Sequence, residues 1–388
     1  MIAYFKLQCY NSLRNNSFCQ VSGAGSESLP DSTNLPSSLR SDELLAVFRH
    51  TLCAPPRHIS CARTLNTAAH FAIQHCIVPY REREGSFMIV YRELSSLERD
   101  LGISAKTMYA VSNSLSKHYR KAKLPKKSGD FRNISVPDQV LKNIQRKIAN
   151  VLLVQMPVSR YAKAYRFGSS TLRNAKHHVG KQVLLKLDIL HFFDSIRYST
   201  VKDNVFPEEI YADPIRILLT MLCYHKDSLP QGAPSSPAIT NIILYEFDEQ
   251  LGQWCLERGI TYTRYCDDMT FSGTFDPTEV IQFARLELGK LGFLLNEQKT
   301  RIQRSGQQQI VTGIVVNKKM SIPTSYRHKL RQELYYCKKF GIQGHLNKIG
   351  LNVSEDTYRS QLLGKVNYVL QIHSNDIDLL KARKWLQQ

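Results

Sequence analysis

The 388-residue chain is short of acid. Thirty-three Asp and Glu stand against 52 Lys and Arg, leaving a formal net charge of +19 and a pI near 9.5. Such a balance serves solubility, and it also points to a polyanionic partner, because Lys and Arg gain affinity for phosphate backbones by releasing counterions. Long apolar runs are missing too. None approaches a membrane span, and the N-terminus has no charged segment followed by an apolar one, so we expect a cytoplasmic protein with no membrane partner. The nine cysteines include no CxxC pair and read as reduced and mostly inert. Cys53, Cys61 and Cys76 lie near His58, His70 and His75, but their spacing fits no standard zinc motif. No internal repeat is visible.

What is present divides unevenly along the chain. Residues 1–40, rich in Ser, Pro, Gly and Asn, read as a flexible extension. Ser41 is a candidate cap for the helical run that follows. Helical spacing over 95–123 leads into a basic cluster. Between 118 and 147, nine Lys and Arg face two acids, and Lys126-Lys127-Ser128-Gly129-Asp130 has the composition of a hairpin turn. The segment 183–196 is almost wholly apolar around Asp188 and reads as a central strand running into a helix. A Pro/Gly/Ser loop opens a helix over 229–251, and 259–273 reads as a hairpin with Asp267 and Asp268 at its tip. An amphipathic helix ending near Gly292 leads to a short strand, and 307–317 is a strand or hairpin. The rest is helical and basic: from 318 to 388, 13 Lys and Arg face five acids.

Adjacent carboxylates at a hairpin tip repel, and a lone carboxylate inside an apolar strand costs several kcal/mol. If the Asp188 strand pairs beside the hairpin, Asp188, Asp267 and Asp268 converge into an oxygen cage suited to Mg²⁺ (two ions, with Mn²⁺ as a substitute). Two such ions stabilise the entering and leaving oxygens of an in-line phosphoryl displacement. The surroundings suit nucleotide transfer from dNTPs. Phe193 is placed to stack under a sugar and exclude a 2′-hydroxyl, Gln231 and Gly232 to line the pocket, Lys126, Lys127 and Arg132 to hold the triphosphate, and Lys299 to protonate pyrophosphate.

These motifs resemble those of reverse transcriptases. Tyr265-Cys266-Asp267-Asp268 matches the YxDD box, and Asp188 with Phe192-Phe193 resembles the first catalytic motif. Leu229-Pro230-Gln231-Gly232 through Ser236-Pro237 resembles the LPQG…SP loop, and Gly292 through Asn296 to Lys299-Thr300 the motif after the catalytic hairpin. Arg132-Asn133-Ile134, Pro137, Leu141-Lys142 and Gln145 resemble the fingers of the bacterial enzymes. Asn174-Ala175-Lys176-His177-His178 matches the NAxxH box, and Val311-Thr312-Gly313 the VTG signature, of retron reverse transcriptases.

The resemblance implies an α+β right-hand polymerase fold. Fingers with N-terminal helices would span 41–180, and a palm with an antiparallel sheet 181–310, with part of the fingers inserted near 197–230. A basic helical thumb would span 311–388. It implies an RNA-directed DNA polymerase that binds a cognate noncoding RNA, primes from an internal 2′-hydroxyl, and makes multicopy single-stranded DNA joined to RNA. The family works in anti-phage defence beside an effector protein. Asn174, Ala175, His178, Val311, Thr312 and Gly313 would then recognise RNA. No RNase H or zinc endonuclease segment is expected. Two alternatives stay open. One is another bacterial reverse transcriptase of the group II intron, diversity-generating or abortive-infection type. The other is a non-catalytic nucleic-acid binder with a helix-turn-helix over 102–121.

Overall fold

The computed structural model describes residues 90–125 and 131–388. The expectations for residues 1–40, the helix at Ser41, the Cys53/Cys61/Cys76 group and the turn with Lys126 and Lys127 lie outside those residues, as does the side chain of Arg132.

Two short helices come first, α1 (Leu94–Leu101) and α2 (Ala105–Asn113). Gly102 closes α1 in the left-handed conformation, and the Ser104 hydroxyl caps α2 by accepting from the Thr107 N–H at 3.2 Å. The helical spacing expected to reach 123 stops here. Residues Tyr119–Pro125 form β1, antiparallel to β2 (Phe131–Pro137). Half-buried Ala122 and Leu124 alternate with exposed Lys121 and Lys123, so strand pairing overrides the helix propensity of the lysines. A helix-turn-helix over 102–121 is thereby overturned, because its second helix is replaced by a short 3₁₀ turn and a strand. α3 (Gln139–Lys147) follows. Its buried Gln145 donates to the Tyr119 hydroxyl and the Leu222 carbonyl, tying the hairpin to the helices beyond.

The chain continues through α4 (Thr171–Lys176), β3 (Val183–Asp188), α5 (Tyr198–Val205), α6 (Asp213–Cys223), α7 (Ser236–Ile243) and α8 (Tyr245–Glu257). Then come β4 (Thr261–Tyr265), β5 (Asp268–Gly273), α9 (Pro277–Lys290) and β6 (Arg301–Arg304). The helix expected over 229–251 is two helices. The strand expected soon after Gly292 is delayed to β6, because residues 291–296 make only an isolated bridge, from Leu295 to Ile189. Strands β4, β5, β3 and β6 form one antiparallel sheet in that spatial order. β3 is central and almost wholly buried, which is why it reads as a continuous apolar run. One face of the sheet carries Asp188, Asp268, Tyr265, Thr263, Thr270 and Ser272; the other carries Leu185, Leu187, Met269, Phe271, Tyr262 and Arg264 and packs on α8.

A small hairpin, β7 (Ile310–Val311) and β8 (Ile314–Val315), precedes the last helices. Thr312 and Gly313 in its turn both have positive φ, 46° and 89°, as a type I′ turn requires. Its Val311 and Ile314 share a core with Ala175 of α4 and Leu184 of β3. The remainder is helical, as expected: α10 (Thr324–Ile349), α11 (Glu355–Leu370) and α12 (Ile377–Gln387). α10 breaks at Gly341 (φ 76°), where the sequence predicts a stop, though it starts after Pro323 without the expected side-chain cap. Leu330, Leu334, Ile342, Leu346, Leu362, Val366 and Leu379 form the core of this unit. The fold is α+β with antiparallel sheets, as read from the sequence. Among the described residues no helix is long and apolar enough to cross a membrane.

Packing is closest where the Tyr161 ring lies on Gly252 of α8, and a Cβ there would overlap the ring. We expect Gly252→Ala to cost about 1–3 kcal/mol, seen as a lower thermal midpoint, and Tyr161→Ala in the same chain to relieve part of it. An unchanged midpoint in the single variant would show that the ring moves aside freely.

Candidate active site

Asp188 ends β3, is buried (6% exposed), and its Cα pairs with that of Asp268 at the start of β5. Directly opposite residues point to the same face, so the two carboxylates share it. Asp267, with Cys266, makes the two-residue turn that joins β4 to β5. The strand pairing thus brings all three aspartates to one end of the sheet. Burial, above all, raises the Asp188 carboxyl above the usual range. A hydrogen bond from Lys299 opposes that rise, while the charges of Asp267 and then Asp268 add to it.

The segment after α9 clasps the same end. Lys299 Nζ donates to both Asp188 oxygens at 2.8 and 3.0 Å, Asn296 Nδ2 donates to Oδ1 at 3.3 Å, and the Asn296 N–H donates to the Asp188 carbonyl. Lys299 is therefore the counter-ion of Asp188. Among the described residues no three His, Cys, Asp or Glu side chains stand close enough to hold a metal ion as placed. The donors nonetheless suit a hard divalent cation: they are all carboxylate oxygens, and they destabilise one another until a positive charge joins them.

The turn itself is strained. Cys266 is buried with φ 64°, a left-handed conformation that costs a non-glycine residue on the order of 1 kcal/mol or more. A buried polar network holds it. Arg264 Nη1 donates to the Cys266 carbonyl at 2.9 Å, while Nε and Nη2 donate to Asp248 of α8 at 2.9 and 2.6 Å. Tyr262 Oη donates to Asp248 at 2.8 Å, and Arg264 Nη2 also reaches Asn241 Oδ1. Arg264 and Asp248 are both fully buried. Sequence reading singled out neither. No local signal marks them, since Arg264 lies in a strand of Thr and Tyr, Thr261–Tyr265, where a polar residue is unremarkable.

Other expected site residues gather nearby. Phe193 is half-buried, its ring set edge-on to Phe192, and its carbonyl accepts from the Leu229 N–H at 3.1 Å. That bond brings the loop holding Gln231 and Gly232 beside it. Gly232 has φ 126°, and a Cβ there would come within 2.7 Å of the Ser135 carbonyl and 2.8 Å of Ile134 in β2. The loop can lie this close to β2 only as glycine.

The NAxxH and VTG residues lie elsewhere. Asn174, Ala175, His178 and Val311 are all 0% exposed, so direct contact with RNA does not fit their side chains. His178 bridges the sheet instead, with Nδ1 2.7 Å from Ser272 Oγ and Nε2 2.7 Å from Thr263 Oγ1. Thr312 Oγ1 donates to the Thr171 carbonyl of α4, and Gly313 lies beside Tyr368 of α11. The two signatures pack α4, the small hairpin and the sheet together.

The family profile described as reverse transcriptase (RNA-dependent DNA polymerase) matches residues 124–319, half of the chain. The chain is 30% identical over 323 residues to the retron Mx65 reverse transcriptase of Myxococcus xanthus, covering 76% of itself and 72% of that protein. This chain belongs to the retron-type reverse transcriptases. It is 29% identical over 282 residues to the retron Ec83 reverse transcriptase of Escherichia coli, covering 69% of itself and 86% of the relative. Solved structures that align with it include a truncated apo telomerase from Candida tropicalis (12% identity, TM-score 0.37, 64% of each chain). Another is a foamy viral protease–reverse transcriptase (13% identity, TM-score 0.35, 89% of this chain and 54% of that one). The enzyme is an RNA-directed DNA polymerase with the right-hand fold of its family, and a divalent metal requirement comes with that chemistry.

Two expectations follow. Asp248→Ala leaves the reverse transcriptase with an unpaired buried guanidinium and should cost about 3–5 kcal/mol. The double variant Arg264→Met/Asp248→Leu should recover much of that stability yet make little DNA, because the Cys266 carbonyl has lost its donor. Full activity in the double variant would show that the turn holds itself. Burial, with smaller contributions from His177, Lys181 and Lys163, pushes the His178 pKa down to about 3. A histidine depressed in this way contributes stability above its unfolded pKa and loses it as pH falls. Between pH 7 and pH 5, urea midpoints should register a loss of about 2 kcal/mol that His178→Gln does not share. Parallel pH profiles for the two proteins would count against a neutral buried imidazole.

Proposed function

We propose that this reverse transcriptase copies part of a structured noncoding RNA into multicopy single-stranded DNA that stays branched to the RNA through a 2′-hydroxyl. The observation that carries the reading is the register Asp188↔Asp268 at the end of one sheet, in a chain related to named retron enzymes. We assign the palm to the four-stranded sheet with its helices, the fingers to the β1–β2 hairpin and flanking helices, and the thumb to α10–α12. A retron effector protein and a role in anti-phage defence belong to the same reading.

Asp188, Asp267 and Asp268 would hold Mg²⁺, with Mn²⁺ as a substitute. When bound, two such ions stabilise the charge on the entering and leaving oxygens of nucleotidyl transfer. The chain's own groups do the rest. Lys299 and Asn296 donate to Asp188, and the lysine opposes the burial that raises its carboxyl. Phe193, pressed against Phe192, gives the incoming sugar a fixed surface that a 2′-hydroxyl would meet. Gln231 and Gly232, the latter held against β2, would form the opposite wall, and Lys126, Lys127 and Arg132 would bind the triphosphate by their charge. Lys299, 55% exposed while paired with Asp188, has the free N–H bonds to protonate departing pyrophosphate. The RNA is held by the basic surface that the NAxxH and VTG packing supports, rather than by those buried side chains.

The decisive experiment purifies the tagged protein from its host beside Asp267→Asn and sequences the bound nucleic acid, with and without debranching enzyme. A discrete DNA joined to RNA, present only with the wild type, is the expected result. RNA alone in both would overturn the branched-DNA reading. In vitro, Asp267→Asn should lower DNA synthesis more than about 100-fold with RNA affinity retained. Phe193→Ala should admit ribonucleotides, and unchanged dNTP-over-rNTP selectivity would remove it from the sugar site.

A further inference from the structure

Between residues 157 and 181 the chain carries six cations, Arg160, Lys163, Arg166, Arg173, Lys176 and Lys181, and no acid. Among them the Phe167 side chain is fully exposed. A lone exposed apolar residue is ordinary, but the loop that presents this one is anchored to the catalytic turn. The Lys163 N–H donates to the Arg264 carbonyl at 2.7 Å and the Arg264 N–H to the Tyr161 carbonyl at 2.9 Å, so 161–163 runs along the outer edge of β4. Tyr165 Oη donates to Cys266 Sγ at 3.4 Å, inside the turn that carries Asp267. Arg166 Nη1 donates to the Ser159 carbonyl, Ser169 Oγ to the Lys163 carbonyl, and the Arg173 guanidinium to the Gly168 carbonyl. Phe167 is thus held out on a pinned loop, two residues from a side chain that touches the catalytic turn.

We propose that Phe167 is a stacking platform for an unpaired base of the RNA held at that turn, with Lys163 and Arg173 beside its phosphates. Every base has a π-face, so an exposed ring among cations takes single-stranded RNA without sequence preference. The same ring offered to a protein would need an apolar rim, and this one has cations. The local charge is crowded: after burial, the charges of Arg166 and Arg160 push the Lys163 ammonium below its ordinary range, a repulsion that a phosphate relieves. Only the location of the RNA rests on the polymerase reading; the ligand class rests on the loop.

The test is equilibrium binding of a short single-stranded RNA, with 2-aminopurine at successive positions, to the full chain in wild-type and Asp267→Asn backgrounds. Phe167→Ala should weaken binding about tenfold and abolish fluorescence quenching at one position, whereas Phe167→Trp should keep both. Leu256→Ala, an exposed apolar residue on α8, should change neither, and a blunt RNA duplex should not distinguish the variants. Wild-type affinity and quenching in Phe167→Ala would overturn the proposal. So would equal losses with the duplex, which would make the residue a general backbone contact. Because binding is read without catalysis, an enzyme that made no DNA at all would sink the polymerase reading and leave this result standing.

Discussion

The end of the sheet that carries the three aspartates depends on one buried ion pair. Arg264 and Asp248 lie wholly out of water, and each of the guanidinium's interactions has a structural consequence. Two of its nitrogens join β4 to α8; another donates to the carbonyl of strained Cys266. Burying two charges is expensive, and a well-packed apolar pair is often as stable or more so. The ion pair is better explained by position than by stability. An apolar side chain could fill the space but could not donate to the turn, and the turn fixes where Asp267 sits relative to Asp188 and Asp268.

The same sheet is braced on its polar face. Thr263, Thr270 and Ser272 are buried hydroxyl residues beneath Asp268, an arrangement that wastes apolar burial unless something bonds to them. His178 does, taking one hydroxyl from β4 and one from β5. Its helical neighbour α4 is fixed in turn by the Thr312 hydroxyl and by Val311 and Ile314. The sequence signatures that mark the retron type therefore form one piece of internal architecture. It connects the four-stranded sheet to the hairpin just before the last helices.

Much of this was legible in the residues. Asp188 stood out because a carboxylate in an apolar strand requires a partner, and a hairpin with Asp267 and Asp268 at its tip followed from alternation and the paired acids, although the turn is Cys266-Asp267 and Asp268 already pairs with Tyr265 in β5. The helical tail and its break at Gly341 followed from spacing and from glycine's freedom. What stayed hidden depended on contacts distant in sequence. Lys121 and Lys123 favour helix locally, and only the pairing of β1 with β2 makes them a strand. Asn174 and His178 fit either RNA recognition or a structural cap and a packed ring, and their burial is decided by the sheet they pack on. Asp248 looked like one more acid on a polar helix face; nothing local reveals that Arg264, sixteen residues on, turns inward to meet it.

Charge organises the remainder. The chain as a whole is strongly basic, yet its reactive end gathers three carboxylates, and a carboxylate cluster repels the very phosphates that the surface attracts. Lys299 resolves part of the conflict by neutralising Asp188, at the cost of competing with any cation that the aspartates would bind. The Lys299 side chain is 55% exposed, so the pair is partly screened by water, while Asp188 itself is buried.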